Sequence, residues 1–196
     1  MGLDRIHCVF KSMNVDLKSG QSRQRQVVVV SGTNGKGSTI ALIEAGLLSI
    51  GLSVGTYTSP HIQNYNERVK VNAKPVSDEK LMLAFSHVEA ARAGIPLTYF
   101  EFGTLAAFDI LFSADVDVLI LEIGLGGRLD AVNIVDSDLA IITSVALDHT
   151  DWLGSSIEGI GLEKAGVLRA NTPAIFGENL PESVYQYAKE ISCPAL

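Results

Sequence analysis

Val27-Val28-Val29-Val30-Ser31-Gly32-Thr33-Asn34-Gly35-Lys36-Gly37-Ser38 is the stretch that decides how this chain is read. Its β-branched run, Val27 to Ser31, predicts a short strand that enters a glycine-rich turn. After the glycine-rich turn, Ser38 to Ile50 places Ile40, Leu42, Ile43, Leu47 and Leu48 at helical spacing. A glycine-rich turn between a strand and a helix can cradle phosphates. Its backbone N–H groups turn inward, the helix N-terminus adds partial positive charge, and Lys36 adds a full one. The spacing departs from GxxxxGK[ST], because Gly32 stands four residues before Lys36 and Gly37 intervenes before Ser38. The alternative is a plain strand-to-helix turn.

Outward from this stretch the elements alternate. Val54 to Tyr57 reads as a strand, and the polar stretch Thr58 to Asn66, containing Pro60, as a long functional loop. Ser77 caps a helix that begins Asp78-Glu79 and runs to Ala93, where Gly94 and Pro96 stop it. Phe100 to Phe112 is a further helix. Val116 to Ile123 and Leu139 to Ser144 are buried strands, Ile157 to Leu168 is helical, Ala174 to Phe176 is a strand, and Glu182 to Ile191 is a last helix. This order predicts an α/β fold: a mostly parallel open sheet with flanking helices and right-handed crossovers. No repeat or linker divides residues 1–196, so one domain is expected.

The 196 residues carry 15 Lys plus Arg against 22 Asp plus Glu, a net charge of -7, and 47% are hydrophobic. That is too apolar for disorder and too acidic for a phosphate-neutralising nucleic-acid binder. The longest apolar runs fall far short of the roughly 18 residues of a membrane span. Met1 to Lys11 mixes Asp4, Arg5 and His7 among its apolar residues, so no signal-peptide core is read there and a cytoplasmic location is expected. Cys8 and Cys193 lie far apart and read as reduced and silent.

Other polar residues fall where an open sheet collects ligands. Glu122 ends a buried strand, the place for a carboxylate that holds a nucleotide-bound Mg²⁺; capping the loop Gly124 to Gly127 is the alternative. Ser59 and His61 follow the second strand, where a hydroxyl could complete a magnesium shell or merely form a turn. His149, in Leu147-Asp148-His149-Thr150-Asp151, follows another buried strand, whereas His7 and His87 have unremarkable surroundings. Arg128, Asp130 and Asn133 form a polar loop that lines substrate or is simply solvated.

Together these motifs resemble the folylpolyglutamate synthase and dihydrofolate synthase family, relatives of the Mur ligases. The resemblance runs through Gly32 to Ser38, Thr58-Ser59-Pro60-His61, Glu67-Arg68-Val69, Leu97-Thr98-Tyr99-Phe100-Glu101, Leu121 to Asp130, Leu147-Asp148-His149 and Glu163-Lys164-Ala165-Gly166. It implies a P-loop NTPase-like Mur ligase central domain in which Gly32, Thr33, Asn34, Gly35, Lys36, Gly37 and Ser38 cradle the ATP phosphates. By the same resemblance Ser59, Glu122 and His149 hold Mg²⁺. Lys36, His149 and Lys164 take part in catalysis, and Lys164 is carbamylated, an anionic oxygen ligand suited to a hard cation. On its own terms Lys164 reads as a helix lysine in solvent. Thr98, Tyr99, Phe100 and Glu101, with Leu129, Asp130 and Ala131, match segments that contact the pteroate moiety. Tyr99 and Phe100 would offer flat apolar surface to a pterin or benzoyl ring.

The implied reaction is ATP-dependent amide formation. A carboxylate of dihydropteroate or a reduced folate attacks the γ-phosphate, and the L-glutamate amine opens the resulting acyl phosphate. No nucleic acid or membrane partner is implied, and the family's parent proteins are read as monomers. Family members are about twice this length, with a C-terminal glutamate-binding domain and an N-terminal helix that have no match here. The resemblance therefore also implies a chain truncated at both ends, which binds nucleotide and turns over poorly. A Mur-type ligase for a different acid, or a kinase, is a further alternative.

Overall fold

The computed structural model describes residues 2–15 and 25–196. Among them seven strands form one sheet: β1 (Gln26–Ser31), β2 (Val54–Tyr57), β3 (Val69–Val71), β4 (Lys74–Pro75), β5 (Val118–Glu122), β6 (Leu139–Ile142) and β7 (Ala174–Phe176). Their spatial order is β4-β3-β2-β5-β1-β6-β7. β2, β5, β1, β6 and β7 run parallel, and β3 and β4 add antiparallel at one edge. The helices are α1 (Asp4–Ser12), α2 (Lys36–Ser49), α3 (Asp78–Arg92), α4 (Tyr99–Ser113), α5 (Thr150–Leu153), α6 (Ile157–Ala165) and α7 (Glu182–Glu190).

The valine run behaves as a doubly covered strand should. Side chains alternate along a strand, so Val27 and Val29 enter the larger core, whereas Val28 and Val30 enter a smaller one with Ile40 of α2. β5 repeats the division, with Leu119 and Leu121 on one side and Val118 and Ile120 on the other. The chain leaves β1 for β2 on one side and later returns to place β6 on the other. The carboxyl ends of β1, β2, β5 and β6 therefore surround a crevice of the kind in which open α/β sheets bind ligands.

Two elements appear that the sequence did not announce, and one expected strand is shorter. The N-terminal segment forms α1, whose Ile6, Val9 and following Met13 are buried in the larger core. The sheet is mostly parallel, as expected, and its one antiparallel edge is a hairpin that β3 and β4 make across Asn72 and Ala73, both at positive φ (51° and 60°). Such a two-residue turn normally wants Asn-Gly. Here buried Glu44 of α2 accepts the Ala73 N–H at 3.1 Å, and Asn72 exchanges hydrogen bonds with Val54 through its N–H and side-chain oxygen. The strand expected over Leu139 to Ser144 ends at Ile142, and Thr143 and Ser144 serve the glycine-rich loop instead.

At the end of β7 the backbone of Gly177 donates to the Ile142 carbonyl at 2.8 Å. It passes so close to Thr143 that an added Cβ would overlap the Thr143 carbonyl. Gly177→Ala is therefore expected to cost about 2 kcal/mol and to lower Tm by roughly 4–8 °C. Thermal melting followed by circular dichroism checks this, and an unchanged Tm would contradict the close approach of β6 and β7.

Candidate functional site

The loop between β1 and α2 is held open from below. Gly32 has φ 146°, and a Cβ on it would overlap the Thr143 hydroxyl. The Thr33 N–H donates to the Ser144 carbonyl at 2.8 Å, and the Asn34 N–H to Ser144 Oγ at 3.0 Å. Thr143 Oγ1 and Ser144 Oγ both donate to the Asn34 carbonyl, at 2.7 and 3.0 Å. Gly35, at φ 86°, opens α2 with no side-chain cap, and no acidic residue lies in the first turn. The first amides of the helix thus lack a side-chain cap beside exposed Gly37 and Ser38, an arrangement open to an anion. Lys36 Nζ lies over the same loop, donating to the Gly32 and Thr33 carbonyls at 3.0 and 3.3 Å.

Glu122 is buried at the end of β5, and its Oε2 accepts the Ser59 N–H at 2.9 Å. No other hydrogen bond reaches this carboxylate among the described residues. Burial raises its pKa against the opposing pull of the Ser59 amide and the Lys36 charge. A buried carboxylate with spare lone pairs and a hydroxyl residue beside it suits a hard cation. His149, at the start of α5, is exposed and in the left-handed region (φ 49°); its N–H donates to Asp148 Oδ1 at 2.8 Å. Among the described residues no three His, Cys, Asp or Glu side chains form a ready-made metal cage. The donor set fits Mg²⁺, which keeps water and phosphate oxygens in its shell.

Beside this crevice opens a cavity of about 650 Å³. It gathers Ser59, Thr98, Phe100, Glu101, Leu129, Asp130 and Ala131 on one wall system, together with Arg5, Arg68, Trp152 and Leu153. Thr98 caps α4 by accepting the Glu101 N–H at 3.2 Å, and Glu101 accepts the Thr98 N–H at 2.7 Å. Burial pushes the Glu101 carboxyl up, but the Arg5 guanidinium and the Thr98 donors outweigh it and hold it below its ordinary value. Phe100 lies over Gly124, where a Cβ would meet its ring, and stacks on Tyr57 at 6.3 Å between centroids. Tyr99 departs from expectation. The first residue of α4 turns its ring to Tyr65, 6.2 Å away and edge-on, leaving it 67% exposed and off the cavity wall.

The reading of Lys164 as a solvent lysine is overturned: it is buried at 4% exposure. Its amine has no hydrogen-bond or ion-pair partner among the described residues. Burial, helped by the Lys36 charge, pushes its pKa down to about 8 despite the pull of Asp148 and Asp130. Burial likewise pushes Asp130 up to about 6, although the Leu125 and Val132 amides donate to it. The loop carrying Asp130 is clamped to α6. A Cβ on Gly127 would strike the carbonyls of Glu163 and Lys164, and Arg128 pairs with Glu163 at 2.7 Å. Sequence reasoning gave no role to Arg5, Arg68 or Trp152, since single polar or aromatic residues in loops and helix ends carry no periodic signal.

No family model matches the chain. Solved structures do. The sheet and its helices superpose on Escherichia coli FolC in complex with DHPP and ADP, with a TM-score of 0.93 and 45% identity over all of this chain and 46% of that one. They also superpose on a bifunctional folylpolyglutamate synthase/dihydrofolate synthase with Mn, AMPPNP and L-glutamate bound, with a TM-score of 0.91 and 46% identity over all of this chain and 47% of that one. This is the Mur ligase fold. In sequence the chain is 48% identical to the dihydrofolate synthase/folylpolyglutamate synthase of Escherichia coli strain K12 over 191 residues, 97% of this chain and 44% of the relative. The chain belongs to the dihydrofolate synthase/folylpolyglutamate synthase family, and spans a little under half the length of the curated relatives it matches.

Proposed function

We propose that the chain is the part of an ATP-dependent ligase that binds nucleotide and acid substrate, and that the whole protein adds L-glutamate to dihydropteroate or a reduced folate. The observation that carries this reading is the adjacency of two different sites at the ends of parallel strands. One is an uncapped, lysine-bearing phosphate loop. The other is a largely apolar cavity joined to it through the bond between Ser59 and Glu122. The relatives' structures holding ADP or AMPPNP, a divalent metal, DHPP and L-glutamate support it.

In this reading Gly32 to Ser38 hold the triphosphate, and Lys36 faces the charge that spreads over the transferring phosphoryl group. Mg²⁺, when bound by Ser59, Glu122 and His149, neutralises phosphate oxygens. Thr98, Phe100, Glu101, Leu129, Asp130 and Ala131 orient the acid so that its carboxylate attacks the γ-phosphate. The glutamate amine then attacks the acyl carbon, forming the amide bond as the bond to phosphate breaks and inorganic phosphate leaves, and no protein nucleophile is needed. Lys164, neutral in part near pH 8, is the amine that takes up CO₂ as a carbamate. Residues 1–196 act as one ATP-binding domain of a cytoplasmic, monomeric parent. Among the described residues no helix is long and apolar enough to cross a membrane.

Calorimetry and a phosphate-release assay on one sample test this. ATP is expected to bind with Mg²⁺, and dihydropteroate to bind the ATP-loaded chain. Glutamate-dependent phosphate release is expected near zero, because the named ligases are more than twice as long. ATP binding with indifference to dihydropteroate and tetrahydrofolate alike would point to a ligase for a different acid. Sustained glutamate-dependent release would show that these residues suffice.

A further inference from the structure

Three arginines line the cavity, and two of them are neutralised. Arg5 donates to both oxygens of Glu101 at 2.9 and 3.0 Å, and Arg128 reaches Glu163 at 2.7 Å. Arg68 is the most buried of the three, at 8% exposure, and has no carboxylate within ion-pair distance among the described residues. Its Nε donates to His61 Nδ1 at 2.8 Å, and its guanidinium carbon lies 5.3 Å from the centre of the Tyr65 ring and 5.8 Å from that of Tyr99. Nη1 and Nη2 have no acceptor among the described residues. A buried cation with no counter-charge is costly, yet a histidine and two rings hold this one in place.

Its surroundings are fixed as well. The Arg68 carbonyl accepts the Thr58 N–H at 2.8 Å, so the arginine sits beside the loop whose next residue, Ser59, contacts Glu122. The same loop carries His61, and Glu67 pins it by accepting the N–H groups of Ile62, Gln63 and Asn64 at 2.8, 3.0 and 2.8 Å. Phosphate already has its own loop with Lys36. The cavity that Arg68 lines is also walled by Phe100, Leu125, Leu129 and Leu153, surface suited to an aromatic body.

We propose that Arg68 clamps the carboxylate of the acid substrate through Nη1 and Nη2, and that His61, Tyr65 and Tyr99 are the positioning residues that aim it. The planar guanidinium fork matches a carboxylate in two parallel hydrogen bonds. The proposal rests on the ligase reading above and names the residue that presents the reacting carboxylate beside Ser59.

Titration calorimetry on the full chain, with Mg²⁺ and a non-hydrolysable ATP analogue present, compares dihydropteroate with its counterpart lacking the carboxylate. The unaltered chain is expected to prefer the acid by about 10- to 100-fold. Arg68→Ala is expected to erase that preference and Arg68→Lys to keep part of it, since a point charge replaces a fork. Near-UV circular dichroism reports folding, and the lysine variant carries the test if the alanine variant is misfolded. A full preference for the acid in both variants would overturn the clamp while leaving the ligase reading intact. Equal binding of acid and analogue by the unaltered chain would also overturn it. Binding of neither would overturn the ligase reading itself.

Discussion

Replacing Lys36 by alanine weakens ATP binding by about 100- to 10,000-fold, the loss of two charge-assisted contacts to phosphate at about 1.5–3 kcal/mol each. The ammonium lies over the loop, bonded to the Gly32 and Thr33 carbonyls, and the uncapped amides at the start of α2 surround the same space. Those amides survive the substitution, so residual binding is expected rather than none. The lysine is only partly buried and its partners are two loop carbonyls, so Tm should fall little. One side effect is specific. The Lys36 charge helps to depress the pKa of Lys164 and to restrain that of Glu122, so both should rise in the variant. Calorimetry gives the affinity, and an ATP affinity close to that of the unaltered chain would place the nucleotide elsewhere.

The sequence announced this loop because strand, glycine turn and helix share one continuous segment. It also announced β5 and β6, whose consecutive apolar residues have no other explanation in a chain of this kind. It concealed α1 because Asp4, Arg5 and His7 interrupt the apolar residues, although Ile6, Val9 and Met13 keep helical spacing and are all buried. It concealed the β3–β4 hairpin because Ala73 occupies a turn position where glycine would have been the signal. The compensating hydrogen bond comes from Glu44, 29 positions earlier. Site residues divide in the same way. Glu122 was legible from its place at a strand end, but the burial of Lys164, and the lack of a carboxylate beside Arg68 among the described residues, depend on what other loops bring against them. Tyr99 shows the converse: adjacent to Phe100 in sequence, it faces another way because successive helix positions point about 100° apart.

Lys164→Met is expected to stabilise the chain at neutral pH while removing the carbamate. In the folded state the amine titrates at about 8, against the ordinary value of 10.5. Between these two values the unfolded chain keeps the proton that the folded chain has released, so stability rises as pH rises from 8 to 10.5. Below pH 8 the full cost of burying the ammonium is present, about 3 kcal/mol. Methionine has no such cost and fills a similar volume. Urea unfolding at pH 7, 8.5 and 10 should therefore show the variant ahead by up to about 3 kcal/mol at pH 7, with the gap closing towards pH 10. In ¹³C-bicarbonate buffer the unaltered chain should show a carbamate resonance that the variant lacks. A variant less stable at pH 7, together with no carbamate signal in the unaltered chain, would mean that the amine has a charged partner in solution.

The most direct test of the account is a crystal structure of the chain grown with AMPPNP, Mn²⁺ and dihydropteroate. It should show the triphosphate against Gly32 to Ser38 with Lys36 turned onto it, the metal beside Ser59 and Glu122, and the dihydropteroate in the cavity with its carboxylate towards Arg68. A nucleotide bound away from that loop, or a metal held without Glu122, would contradict it.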